Sequence, residues 1–243
     1  MDQISILAAA GMQARMQSLD IQANNIANAS TGGYKSDSEF YTVFTSEAAS
    51  DEAQDTPTTL PMIQKHWTDF SQGLLEPTNN PLDLGLQGKG FFVVQGPSGP
   101  LYTRHGSFRL STDGTMVTGD GYALLDKNGQ AIKLTANQPL QVSPDGTLSQ
   151  NGQDLGQIQL ADFQDHGSVT KQGHSYFQNI SGRPPADPAD LQVYQGKVEA
   201  SNVSAAHGAM RLVTLSRQFE MMQKALAISN DMGREAIEQV AKI

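Results

Sequence analysis

The chain has 243 residues, a formal net charge of −9 at pH 7 and no cysteine. The acidic balance argues against nucleic acid and against an anionic membrane surface, because both carry negative charge. The lack of cysteine excludes disulfides, thiolate metal sites and a cysteine nucleophile. Apolar residues make up 38%, a low share for a compact globule, so part of the chain is expected to be buried against a partner.

The N-terminus lacks the pattern of a secretory signal peptide. Asp2 stands where such a peptide has lysine or arginine, and the apolar run from Ile4 to Ala10 is followed by polar helical sequence. No stretch reaches the roughly 18 apolar residues that span a bilayer. The sequence therefore predicts no membrane insertion, and either a cytoplasmic location or export without a cleaved signal.

Residues 1 to about 30 are predicted to form a helix with a heptad seam, a line of residues spaced alternately by three and four. The seam consists of Ile4, Leu7, Gly11, Ala14, Ser18, Ile21, Asn25 and Asn28. Thr31-Gly32-Gly33 is predicted to end this helix, because glycine readily adopts a positive φ.

The C-terminal segment, from about residue 204 to residue 243, follows the same rule for five heptads. Its seam consists of Ala205, Gly208, Leu212, Leu215, Phe219, Met222, Leu226, Ser229, Gly233, Ala236 and Val240. A pattern of this length predicts a coiled coil. Neither end segment has a partner beside it in sequence, so the two are expected to pack on each other. The alternative is that each is an ordinary amphipathic helix covering a sheet.

The middle of the chain is predicted to be β-rich. Asp-Gly and Asn-Gly turn pairs recur, and they favour the left-handed geometry of tight hairpins; their glycines are Gly114, Gly121, Gly129, Gly146 and Gly152. The strand-like runs between them are residues 91–94, 107–110, 115–118, 122–125, 131–134, 140–143 and 157–163. Their spacing is typical of an all-β meander.

These patterns together predict an α+β fold, with N- and C-terminal helices paired as a coiled coil and a β-rich middle domain. The predicted boundaries are 1–35 for the N-terminal helix of an inner domain, 36–85 for a polar connector, 86–200 for the β-rich domain, and 201–243 for the C-terminal helix of the inner domain.

Motifs that carry chemistry are missing. Gly85–Gly90 resembles a phosphate loop, but it lacks the four-residue interval between glycines and the Ser or Thr after lysine. There is no HExxH motif and no Gly-x-Ser-x-Gly elbow. We predict no catalytic, cofactor-binding or metal-binding residue and no enzyme activity. Carboxylate pairs of the glycosidase kind stay open as an alternative, because such partners can be distant in sequence.

Four segments, in chain order, resemble the signature segments of bacterial flagellar rod and hook proteins. They are residues 19–35 (LDIQANNIANASTGGYK), residues 88–94 (GKGFFVV), residues 102–108 (YTRHGSF) with the following Asp113-Gly114, and residues 198–203 (VEASNV) with the continuing Gln218-Phe219-Glu220 and Lys224-Ala225. The resemblance covers nearly the whole chain.

This resemblance implies a subunit of the flagellar basal-body rod, which stacks helically, crosses the periplasm and transmits torque for motility. The implied partners are other rod subunits, copies of the same chain and the flagellar type III export apparatus, with ring proteins as further candidates; no cofactor is implied. The terminal helices would form the inner layer of the tube, and the β-rich part would lie outside.

Two departures favour the proximal over the distal type of rod subunit within this family. Distal rod subunits usually carry a Pro-Thr-Gly-Leu-Gln stretch, whereas residues 59–64 here read TLPMIQ. They also tend to have proline after the Gly-Tyr turn, whereas residues 121–126 here read GYALLD. The shorter length points the same way.

The predicted assembly interface draws on both seams. It consists of Ile4, Leu7, Gly11, Ala14, Ile21, Asn24, Asn25, Asn28, Leu212, Leu215, Phe219, Met222 and Leu226. Buried asparagines can specify one register, although an exposed cap at the helix end is an equal alternative for Asn24, Asn25 and Asn28. Two other functional classes stay open: a phage-tail-like or adhesin polymer, and a periplasmic carbohydrate-active enzyme.

Overall fold

A computed structural model of the chain describes residues 3–45, 59–136, 138–173, 175–188 and 190–240. It has a helix near each end and a β-rich middle, which confirms the predicted α+β class. The chain divides into two compact units. The first contains Met1–Ala27, Asp37–Asp69 and Ser204–Ile243, and the second contains Asn28–Ser36 and Phe70–Val203.

The first unit contains both helices and one β-hairpin. Its elements are α1 (Gln3–Ala27), β1 (Asp37–Thr45), β2 (Thr59–Thr68) and α2 (Ala205–Val240). The two helices pack against each other: a Cβ added at Gly11 would lie 3.7 Å from the Met222 side chain, and one at Gly208 would lie 2.8 Å from the Ile26 side chain. Residues near the start of α1 therefore lie beside the later part of α2, and residues near the end of α1 lie beside the start of α2, so the pair is antiparallel.

The hairpin of β1 and β2 lies within residues 36–85, which the sequence analysis interpreted as a polar connector. Its antiparallel ladder runs from Asp37 opposite Thr68 to Thr45 opposite Thr59, with one register shift after Phe40. The reason is local: residues 40–44 read FYTVF, and aromatic and β-branched residues favour strands even between polar segments.

Of the seventeen strands in the described residues, the second unit contains fifteen, and it also has a short 3-10 helix, His166–Ser168. The strands are β3 (Leu75–Pro77), β4 (Leu84–Gln87), β5 (Phe91–Gly96), β6 (Gly99–Thr103), β7 (Phe108–Leu110), β8 (Met116–Thr118), β9 (Ala123–Leu124), β10 (Leu140–Val142), β11 (Thr147–Gln150), β12 (Gln153–Gln157), β13 (Leu160–Ala161), β14 (Val169–Gln172), β15 (Tyr176–Asn179), β16 (Gln192–Gln195) and β17 (Lys197–Glu199).

An eight-stranded sheet is the centre of this unit. Its order is β14-β15-β6-β5-β9-β8-β7, and β13 also pairs with β5. The sheet is more than the predicted meander, because β15 returns from far along the chain to pair with β6. The remaining strands form the three-stranded sheet β10-β11-β12 and the pairs β16-β4 and β17-β3.

Strand β5 is buried on both faces, which explains its unbroken apolar sequence. Phe92 and Val94 belong to one apolar cluster, together with Met116, Leu124 and Leu148. Phe91 and Val93 point to a second cluster, which contains Tyr102, Phe163 and Phe177. The core of this unit therefore lies on both sides of its central strand.

The predicted turn glycines all have a positive φ, between 75° and 89°. Asn151 (φ 50°) and Gly152 (φ 75°) connect β11 to β12 in a two-residue hairpin, because Gln150 pairs directly with Gln153. Residues 131–134 differ from the prediction: they make isolated bridges, Leu125 with Ala131 and Thr115 with Lys133, instead of a full strand.

Candidate functional site

All four signature segments meet at one buried cluster, which we name the motif junction: Lys35, Arg104 and Glu199. The fourth segment contributes the Gly88 carbonyl, which accepts from Arg104 Nη2 (2.5 Å). The Lys35 Nζ atom lies 2.6 Å from Glu199 Oε1, and the Arg104 Nη1 atom lies 3.1 Å from Glu199 Oε2. The side chains of Lys35 and Glu199 are completely buried, and that of Arg104 is 5% exposed. One carboxylate thus neutralises part of the charge of two buried cations.

Backbone groups complete the junction. The Gly73 amide donates to Glu199 Oε1 (2.9 Å), and the Gly33 amide donates to the Glu199 carbonyl (2.7 Å). Lys35 also donates to the carbonyl of Ser71 (2.7 Å). Residues that are far apart in sequence are therefore joined through Glu199 and Lys35.

The loop that leads to Lys35 is held on both sides. The Asn202 side-chain oxygen accepts from the Ser36 backbone amide (2.8 Å), and the Asn202 backbone amide donates to the Tyr34 carbonyl (3.3 Å). Lys171 donates to the Lys35 carbonyl (2.7 Å), and its ammonium lies 4.2 Å from the centre of the Tyr34 ring. A cation over an aromatic face is attracted by the ring quadrupole.

Gly33 brings this loop into direct contact with the segment around Arg104. It has φ of +66°, and a Cβ at this position would lie 2.4 Å from the Arg104 carbonyl carbon and the His105 amide nitrogen. No side chain fits at that distance. Helix α1 ends at Ala27, so the prediction that Gly33 ends it is wrong; Gly33 instead permits close backbone approach.

Burial dominates the electrostatics of the junction. It lowers the pKa of the Arg104 guanidinium, while Glu199 and Asp162 oppose that shift. Burial likewise lowers the pKa of the neighbouring His105, with Asp120 and Asp83 acting in the other direction. Among the described residues none accepts a hydrogen bond from Arg104 Nε.

The junction does not resemble a reaction centre. Its carboxylate is saturated by donors and closed to solvent, and no group of three or more ligating side chains in the described segments is placed to hold a metal ion. Across the described positions, no helix is long and apolar enough to cross a membrane. The arrangement holds chain segments together and leaves no site for a substrate.

The predicted assembly residues fall into four groups. Leu215 and Ala14 are buried, at 5% and 6% exposed. The half-buried members along the helix pair are Gly11, Leu212, Phe219, Met222 and Leu226. The side chains of Ile4 and Leu7 lie outside the described part of the structure. The remaining members belong to the end of α1 and the loop after it.

Of the asparagines, Asn25 and Asn28 are buried, each 5% exposed, while Asn24 is exposed. Asn25 makes a reciprocal pair with the backbone of Asp37, accepting from its amide (2.9 Å) and donating to its carbonyl (2.7 Å). Asn28 accepts from the Thr31 hydroxyl (3.2 Å) in the turn after α1. An exposed cap is therefore wrong for Asn25 and Asn28, whose partners lie within the chain.

One unit contains two long paired helices, and the other is β-rich with a buried cluster of charged side chains. The comparisons with known proteins identify the class. Residues 7–35 match the family described as flagella basal body rod protein, residues 85–150 match the flagellar hook protein FlgE/F/G D1 domain, and residues 194–239 match the flagellar basal body rod FlgEFG protein C-terminal domain.

Full-length relatives agree with these matches. The flagellar basal-body rod protein FlgF of Caulobacter vibrioides is 33% identical over 226 residues, covering 93% of this chain and 92% of the relative. FlgG of the same organism is 31% identical over 249 residues, covering 93% and 94%. FlgF of Mesorhizobium japonicum is 30% identical over 234 residues, covering 96% and 95%. The chain belongs to the flagellar basal-body rod protein family, whose members are structural subunits and not enzymes.

The sequence analysis missed the motif junction. Lys35, Arg104 and Glu199 each lie in a segment that carried the family resemblance, yet nothing local shows that they meet. The available signal was a charged residue in each of three segments that carried the resemblance. A buried charge needs a partner of the opposite sign, and Glu199 is opposite in sign to Lys35 and Arg104.

Proposed function

We propose that this chain is the proximal rod subunit, of the FlgF type, and that copies of it assemble helically within the flagellar basal body to transmit torque. The alignment lengths support the FlgF type over the FlgG type. The FlgF and FlgG relatives from Caulobacter vibrioides both align with 93% of this chain, but over 226 and 249 positions respectively. The FlgG relative thus has insertions that this chain lacks.

The proposed assembly element is the pair of α1 and α2, acting as a coiled-coil inner layer. Burial of Leu215 and the contact of Gly11 with Met222 support this role, since a heptad seam with small residues permits close packing. The predicted set from Ile4 to Leu226 would stabilise the pairing of α1 with α2, and the helix pairs of neighbouring subunits would lie side by side. Close-packed helices give the stiffness that torque requires.

The proposed surroundings follow from this role. Other rod subunits and further copies of the chain would be its neighbours, the flagellar export apparatus would deliver it, and ring proteins would surround the rod where it crosses the periplasm. The net charge of −9 supports the further proposal that nucleic acid is not a partner.

Quantitative mass spectrometry of purified hook–basal bodies tests this proposal. The chain is counted against the hook subunit in the same particles. A few copies per particle are expected for a proximal rod subunit, whereas many copies would assign the chain to the distal rod. Absence of the chain from intact particles would overturn its role in the rod.

A further inference from the structure

Helix α2 has a second apolar face, which we name the α2 stripe: Met210, Val213, Met221, Ile228 and Met232. These side chains are 52–66% exposed. Single exposed apolar residues are normal on a protein surface, but a row of them on one face marks an interaction site. Methionine is common at such surfaces because its flexible thioether adapts to an irregular partner.

The α2 stripe is regular. Met210, Met221 and Met232 are 11 residues apart, and 11 residues make three turns at about 3.67 residues per turn, close to the helix period. At 100° per residue, the stripe is centred roughly 160° from the seam of Leu212, Leu215, Phe219, Met222 and Leu226. The face that packs on α1 is therefore occupied inside the subunit, and the opposite face is left exposed.

Two exposed cations lie on the same line. Arg217 falls between Val213 and Met221, and Lys224 falls between Met221 and Ile228. Asp231, between Ile228 and Met232, is an exposed acid on the same line, so the stripe is basic only in its middle, around Met221. That part fits a surface that is apolar and acidic.

Helix α1 presents such a surface, which we name the α1 notch. It is a depression of about 310 Å³, lined by Gln17, Asp20, Ile21, Asn24 and Asp37. The lining residues on α1 are roughly 160° around that helix from Gly11, Gln22 and Ile26, the residues nearest α2. The notch combines one aliphatic side chain with two acids and two amides, and it admits a long flexible side chain.

We propose that the α2 stripe of one subunit docks on the α1 notch of a second copy, with Met221 entering the notch and Arg217 or Lys224 facing Asp20. This rests on the proposed rod function and names the contact that extends the polymer. The two surfaces differ, so the contact is heterologous and leaves one stripe and one notch free at the ends. Contacts of this kind continue into an open helix when their rotation does not close.

Cysteine cross-linking tests the contact directly, because the chain has no cysteine of its own. A strain without the native gene expresses Gln17→Cys/Met221→Cys, and its purified hook–basal bodies are treated with a short bis-maleimide. We expect a ladder of dimers and higher multiples of this chain. The matched control, Gln17→Cys/Ala227→Cys, places the second cysteine at an exposed position off the stripe and is expected to give no ladder.

Charge reversal provides an independent test. Arg217→Glu is expected to lower the copies per particle about tenfold, because like charges across an interface repel each other. Asp20→Lys added to it is expected to restore most of them. Arg234→Glu, an exposed cation off the stripe, is the control and is expected to leave the count unchanged.

Three results would overturn the inference while leaving the rod function intact: full incorporation without a ladder, an equal ladder from the Ala227 control, or a cross-link to a different chain. Failure of Asp20→Lys to rescue would reject Asp20 as the facing residue. If the wild-type chain is absent from the particles, the proposed function itself fails and this contact falls with it.

Discussion

At the scale of single residues, Glu199 has the most demanding position. Its carboxylate accepts from Lys35, Arg104 and the Gly73 amide, and each of these donors depends on it for charge compensation or hydrogen bonding. Two buried cations beside a single anion make this position sensitive, because a buried charge without a partner costs several kcal/mol.

Glu199→Gln is therefore expected to lower the free energy of unfolding by about 3–5 kcal/mol, the usual cost of breaking a buried ion pair from one side. Equilibrium urea unfolding followed by circular dichroism measures this. Glu76→Gln is the matched control, an exposed acid on β3, the strand that pairs with β17. A change of similar size in both variants would contradict the role assigned to Glu199.

His105 predicts a pH dependence of stability. Burial lowers the pKa of His105 in the folded chain, so the unfolded chain takes up the proton first on acidification. The stability contributed by neutral His105 is complete above the unfolded pKa of about 6.5 and is lost as pH falls below it towards the folded pKa.

Urea unfolding at pH 7.5 and pH 5.5 measures this contribution. Between pH 7.5 and pH 5.5, the free energy of unfolding is expected to fall more for the wild-type chain than for His105→Gln. Subtracting one fall from the other cancels the contributions of the other histidines. Equal losses in the two proteins would show that His105 does not contribute.

Single residues also show which features can be predicted from local sequence and which cannot. The positive φ of the five turn glycines was predictable, because Asp-Gly and Asn-Gly fix a turn within two residues. The bond between Lys35 and Glu199 spans 164 positions, and no local pattern encodes such a distance. The charged residues signalled that a partner was needed, but tertiary folding decided which one.

At the scale of elements, the loop of residues 28–36 is fixed by Gly33 as much as by its ion pair. Gly33 and Gly129 have similar φ values, 66° and 75°, but a Cβ at Gly129 would meet nothing within 4 Å. The two positions therefore separate backbone strain from close packing.

Gly129→Ala is expected to cost about 1–2 kcal/mol, the price of a left-handed residue with a side chain. Gly33→Ala adds a collision with the backbone of Arg104 and His105, so a total of about 3 kcal/mol or more is expected. Thermal unfolding compares the two variants. Equal losses would mean that the loop can move away without cost, against the close contact described for Gly33.

The hairpin of β1 and β2 shows why two strands were not predicted. The composition of residues 36–85 is polar overall, and that average outweighed the aromatic and β-branched run at residues 40–44. The helices were easier, because a seam of three-four spacing over many turns has few alternative explanations. The return of β15 to β6 could not be predicted, since strand order across a sheet depends on contacts distant in sequence.

At the scale of the whole molecule, the chain has one unit with two paired helices and one β-rich unit whose segments are held together by buried ion pairs. The seam on α2 was readable from sequence as the face towards α1. The second face of α2 was not recognised, because its methionines and valine are spaced among charged residues that resemble a solvated surface. Only the structure shows that the seam is buried while the α2 stripe on the opposite face remains exposed.

The central claim is that the chain enters the rod through its helix pair. The decisive measurement is the number of copies of Leu215→Asp/Phe219→Asp in purified hook–basal bodies, compared with Ala227→Asp, which places the same charge at an exposed position on α2. A charge at the buried seam costs several kcal/mol, so incorporation is expected to fall more than roughly a hundredfold, while limited proteolysis finds residues 70–203 still folded. Motile cells whose normal rods contain the doubly changed chain would contradict the claim.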